Sequence, residues 1–348
     1  MSPVTALQSE LQCTNCAGQC LYDPAVQALA CTSCGTVHPL EDAQDADAAA
    51  EFPFDPKAPA PEPPTMFEGH VVSCQTCGGT VTFVAQELSS ACPYCDGPVV
   101  LKRADQGYAP MALIPFRVPQ ADAQRAAQGW VAKRLAAPGD LRDVVAGARV
   151  AGLYVPFWTF DSDEAVDYWA MYTVRRNKRS ITKKVRGAMR IRFDDLLVPA
   201  SPHVTPLIRD GILHDFYPAR LRPYRAGYLA GFAAEQHHQS VAEGLEANAG
   251  DKALLMRNKI KRHIGKTGVH NIGYHTDTTG IHYRRILLPV WILHYRYGDT
   301  PMKVVVCGMQ GRTFGERPFS TWKLAGYAAL LSAIAVGTGL AWGAAGIL

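Results

Sequence analysis

The chain has 348 residues, 48% of them apolar, and 35 Lys and Arg against 31 Asp and Glu, for a net charge of +4. Length and apolar share support one sizeable core with small modules beside it. The near balance of charge excludes a protein that coats nucleic acid over its whole surface.

Two four-cysteine clusters open the chain. Cys13-x2-Cys16 and Cys31-x2-Cys34 are 14 residues apart, as are Cys74-x2-Cys77 and Cys92-x2-Cys95, and a shift of 61 superimposes all eight. Four thiolates hold a structural Zn²⁺ in a tetrahedron, and a Cys-x-x-Cys turn presents two sulfurs to one ion. Residues that tolerate positive φ follow each pair: Ala17-Gly18, Gly35, Gly78-Gly79 and Asp96-Gly97. Thr80–Val84 reads as a ribbon strand. Met1–Glu10 lacks the basic start and apolar core of a secretion signal, so a reducing cytosol is expected, where such pairs take metal. These patterns predict zinc ribbons over 9–40 and 69–104, holding two structural ions. Cys20 aligns with Val81 and reads as a buried apolar side chain, and Cys307 as a core thiol. With four thiolates per site no position is left for water, which points to structure rather than catalysis.

Within 41–68, residues 41–64 carry six prolines and the acids Glu41, Asp42, Asp45, Asp47, Glu51, Asp55 and Glu62, the composition of a disordered acidic linker that gives the ribbons reach. The body, 108–317, is expected to be α+β. Leu113–Phe116 predicts a strand, Ala121–Leu135 a helix ended by Pro138-Gly139, and Leu153–Phe160, Tyr168–Val174 and Val185–Phe193 further strands. Gln236–Ile264 predicts one long helix, and Ile286–Leu293 another strand. A shift of 133 puts Pro156 on Pro289 and Trp158 on Trp291. That match predicts a duplicated unit of helix and antiparallel sheet, 108–200 and 225–317. The prolines are expected at a sheet edge or strand start and the tryptophans in the core.

Leu324–Leu348 contains 25 residues without a charge. As a helix it would measure about 37 Å, enough for a hydrocarbon core of about 30 Å. Trp322, Tyr327 and Trp342 suit the two interfaces, and Arg312, Arg317 and Lys323 precede the run. These features predict a single transmembrane helix over 322–348, with the body on the cytosolic side of the membrane. Gly339-x3-Gly343 is a candidate helix-pairing face for a homo-oligomer.

The basic stretch Arg175, Arg176, Lys178, Arg179, Lys183, Lys184, Arg186, Arg190, Arg192 holds no acid and includes a hairpin tip near Asn177–Ser180. A second group is Arg257, Lys259, Lys261, Arg262 and Lys266. A solvated face, anionic lipid and nucleic acid all remain open for it. The histidines His203, His214, His237, His238, His263, His270, His275 and His282 form no His-Glu-x-x-His motif, and Asp161, Asp163, Glu164 and Asp167 read as a solvated turn. Gly265-Lys266-Thr267 is no P-loop, since position 260 is Ile and a helix precedes it. No catalytic residue set is expected, and so no enzyme.

The motifs LIPFRV, GLYVPFWTFD, YLAGFAAE, LLPVWILHYRY and GRTFGERPFS, spread from residue 113 to 320, resemble bacterial membrane-anchored proteins with TFIIB-type zinc ribbons, the YdjG-like group. The resemblance spans ribbons, body and terminal helix. It implies a bacterial inner membrane and a non-enzymatic, tail-anchored adaptor that recruits membrane-stress proteins of PspA-like or flotillin-like (SPFH) type. Relatives read Val-Asn-Gly-x-Thr-Gly where this chain has Val306–Gly311, so a partner-binding role for that turn is not carried over. The alternative is a membrane-tethered nucleic-acid-binding protein that uses the ribbons and segment 175–192.

Overall fold

The computed structural model describes residues 11–40, 50–56, 63–66, 69–84, 91–102, 106–176 and 179–344. The expected helix-and-sheet architecture is present. Ribbon 1 holds β1 (Cys20–Asp23), β2 (Ala28–Cys31) and β3 (Val37–His38). Then follow β4 (Phe52–Pro53), β5 (Thr65–Met66), the ribbon 2 strands β6 (His70–Cys74), β7 (Thr80–Phe83) and β8 (Val99–Leu101), and the short β9 (Gln106–Gly107) and β10 (Ala112–Leu113). The body continues with α1 (Gln120–Ala132), α2 (Leu141–Ala146), β11 (Arg149–Arg176), β12 (Arg179–Pro199), α3 (Pro206–Leu213), β13 (Arg222–Pro223) and β14 (Ala233–Ala234). It closes with α4 (Val241–Ala247), α5 (Ala249–Ile264), β15 (Val269–Tyr297), β16 (Thr300–Cys307), β17 (Thr313–Gly315) and α6 (Thr321–Ala344).

One sheet organises the molecule. It runs β13-β10-β15-β11-β14-β7-β6-β8, with β12 added to β11 and β16, then β17, to β15. The central pair β11 and β15 is antiparallel, and Val155 faces Leu288, its counterpart 133 positions on. Around that point the neighbours exchange: Ala112 and Leu113 of β10 run parallel to Ile286 and Leu287 of β15, and Ala233 and Ala234 of β14 run parallel to Leu153 and Tyr154 of β11. A local two-fold thus relates the two matched spans.

The prolines sit elsewhere than expected. Pro156 and Pro289 lie in the two central strands, neither at an edge nor at a strand start. A proline lacks the N–H that a ladder needs. Both occupy the gap where the neighbour changes, from β14 to β12 beside Pro156 and from β10 to β16 beside Pro289. Trp158 and Trp291 are core residues, as expected.

Successive strand residues face opposite sides, and this divides the core in two. Tyr154, Leu287, Trp291, Leu293, Val304 and Val306 face α1, α2 and ribbon 1. Leu153, Val155, Phe157, Ile286, Leu288, Val290, Ile292 and Val305 face α3 and ribbon 2. The ribbons therefore cover opposite faces of the central sheet instead of swinging on a linker. Ribbon 2 also extends the sheet, since β7 pairs with β14. Part of the expected disordered linker is a strap: β4 pairs with His282 and Tyr283 of β15, and Glu51 reaches Arg284 at 3.3 Å. Residues 41–49, 57–62 and 67–68 lie outside the described residues.

Beyond a bulge at Phe160/Ser162, β12, β11 and β15 continue as a three-stranded arm. From Ser162 to Arg176 the arm measures about 45–50 Å at ~3.3 Å per residue. The predicted acidic turn is in fact strand. Asp163 and Asp167 point to solvent, while Ser162, Glu164, Val166 and Tyr168 point toward α5. Met256 and Ile260 of α5 pack there on Val166, Tyr168, Ile191 and Phe193. The single helix predicted over Gln236–Ile264 is two, joined at Asn248. Its first residues run into the core, where His237 is fully buried and meets the Phe157 carbonyl at 2.9 Å. The Ser240/Glu243 capping box then starts α4, and Gly244 passes close over Trp158, where a Cβ would lie 2.8 Å from Nε1.

Candidate metal centres

In ribbon 1, Cys13 Sγ lies 3.6 Å from Cys34 Sγ and Cys16 Sγ 3.5 Å from Cys31 Sγ. In ribbon 2 the matching separations are 3.5 Å for Cys74/Cys95 and 3.8 Å for Cys77/Cys92. All four sulfurs of each set fall within 4.8 Å of one another. A tetrahedral ion with Zn–S of about 2.3 Å needs sulfur–sulfur edges of about 3.8 Å. Both sets fit that demand, and all ten cysteines are free thiols.

The turns that build the sites obey the sequence signal. Ala17, Gly35, Gly78 and Asp96, each directly after a Cys-x-x-Cys pair, have φ of 56°, 72°, 76° and 65°. This left-handed step folds backbone N–H groups over the sulfurs. Gly18 N and Ser33 N donate to Cys16 Sγ and Cys31 Sγ at 3.4 Å, and Thr76 N to Cys74 Sγ at 3.3 Å. Such bonds favour the thiolates that metal binding requires.

The two centres differ in their surroundings. At ribbon 1, Cys16 and Cys34 are exposed, whereas Cys92 of ribbon 2 is fully buried. His38 Nε2 lies 3.3 Å from Cys13 Sγ. Sequence reasoning passed over His38, although it follows Cys34 by four positions. Cys20 is buried beside the set; burial, then the neighbouring Cys31 and Cys13, push its thiol up to about 11, in keeping with a packed apolar side chain. Cys307 is a core thiol, pushed up to about 12 chiefly by burial.

Ribbon 2 is braced to the body by groups that no motif announces. Tyr94, inside Cys92-x2-Cys95, donates its hydroxyl to Glu235 Oε2, and Ser201 Oγ donates to Glu235 Oε1 at 2.7 Å. Burial lifts the Glu235 carboxyl to about 7 against the lowering effect of these two donors. Arg149 pairs with Asp96 and donates to the Cys92 carbonyl at 2.9 Å, while His294 Nε2 meets the Pro93 carbonyl at 2.8 Å. Ribbon 1 is held by Tyr22, whose N–H donates to the Ala230 carbonyl at 3.0 Å, and by Gln27, which donates to the Phe116 carbonyl at 2.7 Å.

The remaining predicted residues are dispersed. Lys184, Arg186, Arg190 and Arg192 stand exposed on the arm face opposite α5, with Trp169 across from Arg186. Lys183 lies on the other face, Arg175 and Arg179 lie near the tip, Lys178 lies outside the described residues, and nothing is described of the Arg176 side chain. In α5, Lys259 sits 5.2 Å over the Phe193 ring. Gly265, with φ 62°, is the left-handed cap that ends α5. His203 lies by Tyr94, His263 by Tyr168 and His275 by Trp169. Burial lowers His237 to about 3. Among the described residues these histidines join no candidate metal group.

Over nearly its whole length the chain is similar to YdjG of Bacillus subtilis (strain 168). That protein, described as uncharacterized, is 27% identical over 351 positions, 95% of each chain. No protein-family profile matches the chain, and no solved structure matches it. Helix α6 is long and apolar enough to cross a membrane: Thr321–Trp342 has a mean hydropathy of 1.7, and none of it is buried in the protein.

Proposed function

We propose that this protein is a non-enzymatic adaptor, tail-anchored by α6 in a bacterial inner membrane, that gathers protein partners at the cytosolic surface. The observation that carries this reading is the joint placement of two four-thiolate sites on opposite faces of one body that ends in an unburied apolar helix. Zinc bound there would close each site with protein thiolates and stiffen it as a recognition surface. Arg317 and Lys323 beside the start of α6 favour a cytosolic body. PspA-like and flotillin-like (SPFH) partners rest on the family resemblance alone. The test is capture of the full-length chain from detergent-solubilised bacterial membranes, against C16S and C77S variants of equal solubility. Partners that co-purify with the native chain and are lost from one variant support the reading; identical partner lists for all three sink it.

A second reading, tethered nucleic-acid binding, draws on the arm, where exposed Arg186 faces exposed Trp169 between Lys184 and Arg190. A cation beside an aromatic ring suits a stacked base. It predicts RNA or DNA binding that weakens steeply with salt and is lost in R186E/R190E.

A further inference from the structure

The base of α6 does not leave the body freely. Ser320 N donates to the Ala136 carbonyl at 2.8 Å, Lys323 Nζ to the Ala137 carbonyl at 2.7 Å and Tyr327 OH to the Leu135 carbonyl at 3.1 Å. The loop after α1, residues 133–137, therefore runs alongside the first two turns of the helix. Its side chains are unusual for a soluble surface. Leu135 is 77% exposed, and across the helix base Phe319 is 57% and Trp322 87% exposed. Cations surround them: Lys133 and Arg134 are exposed, the Arg134 guanidinium lies 4.6 Å over the Trp130 ring, and Arg317 lies 5.0 Å over Phe319.

Depth can be read from the helix itself. From Leu324 to Ala344 the apolar run rises about 30 Å at ~1.5 Å per residue, which matches the hydrocarbon core. Lys323 and Trp322 then stand at head-group level, and Tyr327 lies about 4–5 Å inside the boundary. A helical side chain leans toward the N-terminus, so the bond from the Tyr327 hydroxyl holds Leu135 close to that boundary.

We propose that the body rests on the bilayer through this collar, with Leu135 inserted at the acyl boundary and Lys133, Arg134, Arg317 and Lys323 on the phosphates of anionic phospholipids. This rests on the reading of α6 as a membrane span. The occupant is a lipid surface because the patch is continuous with the base of that helix and combines exposed apolar and aromatic groups with four cations, which outnumber the adjoining exposed acids Glu316 and Asp140. The collar fixes how the body stands. Tyr297 OH, near the end of β15, bonds Asp140 at 3.0 Å, three residues beyond the collar loop. The arm leaves the opposite end of β15, so its basic tip lies far along the sheet from the collar.

The test uses the full chain in nanodiscs of phosphatidylcholine and phosphatidylglycerol. A nitroxide on a genetically encoded side chain is placed at Leu135, at Leu331 in α6 or at Thr182 on the arm. Accessibility to oxygen and to a water-soluble nickel chelate is then compared. Labels at Leu331 and Leu135 are expected to be shielded from nickel and open to oxygen, and the Thr182 label open to nickel. A Leu135 label as nickel-accessible as Thr182, with Leu331 shielded, overturns the collar and leaves the span standing. A nickel-accessible Leu331 sinks the span itself. In parallel, spin-labelled phosphatidylglycerol should associate with the native chain in preference to phosphatidylcholine. K133Q/R134Q/R317Q should cut that preference at least about fivefold; an unchanged preference removes the cations from the proposal.

Discussion

Replacing Glu164 with alanine strikes the point where the arm is fixed to α5. The Glu164 side chain is fully buried, and Lys252 Nζ lies 2.5 Å from Oε1 with its own side chain 23% exposed. Ser162 Oγ donates to Oε1 at 2.8 Å, and Thr276 and Thr278 each donate to Oε2 at 2.7 Å. Burial alone would raise the carboxyl pKa, but Lys252 and the three hydroxyls outweigh it and hold the group below the usual glutamate range. Alanine would strand a half-buried ammonium and three hydroxyls in that space, at a cost of about 3–5 kcal/mol. For a body of this size that is a fall in Tm of roughly 6–20 °C. K252M should cost less, because the three hydroxyls still solvate the carboxylate. The native contribution should be present above pH ~4.5 and fade as pH falls through the lower folded pKa, because protonation removes the acceptor charge. Scanning fluorimetry of the detergent-solubilised full chain reads both effects. An E164A protein that melts within about 2 °C of the native one would refute the account of this cluster.

Removing zinc should unsettle both faces of the central sheet, because each ribbon supplies core side chains to one of them. Zinc contributes about 10–16 kcal/mol to such modules, so a strong chelator should release two ions per chain and abolish the cooperative melt. Metal analysis and near-UV dichroism check this, and an unchanged melt with no zinc present would contradict it. Within the pair, C92S should lose far more stability than C16S, since Cys92 is fully buried and Cys16 exposed. Glu235 should show the opposite pH signature to Glu164. Its folded pKa is raised to about 7, so its contribution is full below ~4.5 and is lost as pH rises through the folded value; E235Q should flatten that dependence between about pH 5 and 8. At Gly152, an added Cβ would come within 2.5 Å of Phe232 Cδ1 and 2.9 Å of Trp291 Cζ3. G152A should therefore cost about 1–3 kcal/mol by overpacking, seen as a lower Tm with both ions retained.

The two cysteine sets were legible in the chain because Cys-x-x-Cys is a local device. Two sulfurs and the left-handed residue after them fall within five positions, and no distant partner is needed. The apolar run of α6 was legible for the same reason, since a helix satisfies its own backbone wherever it lies. The 133-residue match was also visible, but its meaning was not: Val155 and Leu288 prove to face each other, and only pairing over that separation shows it.

What misled the sequence reading was burial decided from far away. The acids around Asp161 looked like a solvated turn, yet α5, some ninety positions later in the chain, covers Glu164 and supplies Lys252. Gln236–Gln239 looked helical, yet the sheet takes His237 into its core. The prolines looked like edge residues, yet each sits in a central strand where the ladder changes partner. The ribbons looked like modules on a tether, yet Tyr22 and Tyr94 fasten them to opposite faces of the body. Sequence alone thus determined the two cysteine sets, their turns and the terminal helix, whose geometry is set by neighbours along the chain. Tertiary structure decided which charges are buried, where the ribbons stand and that Leu135 lies beside Tyr327, because those depend on contacts between segments that the chain order keeps apart.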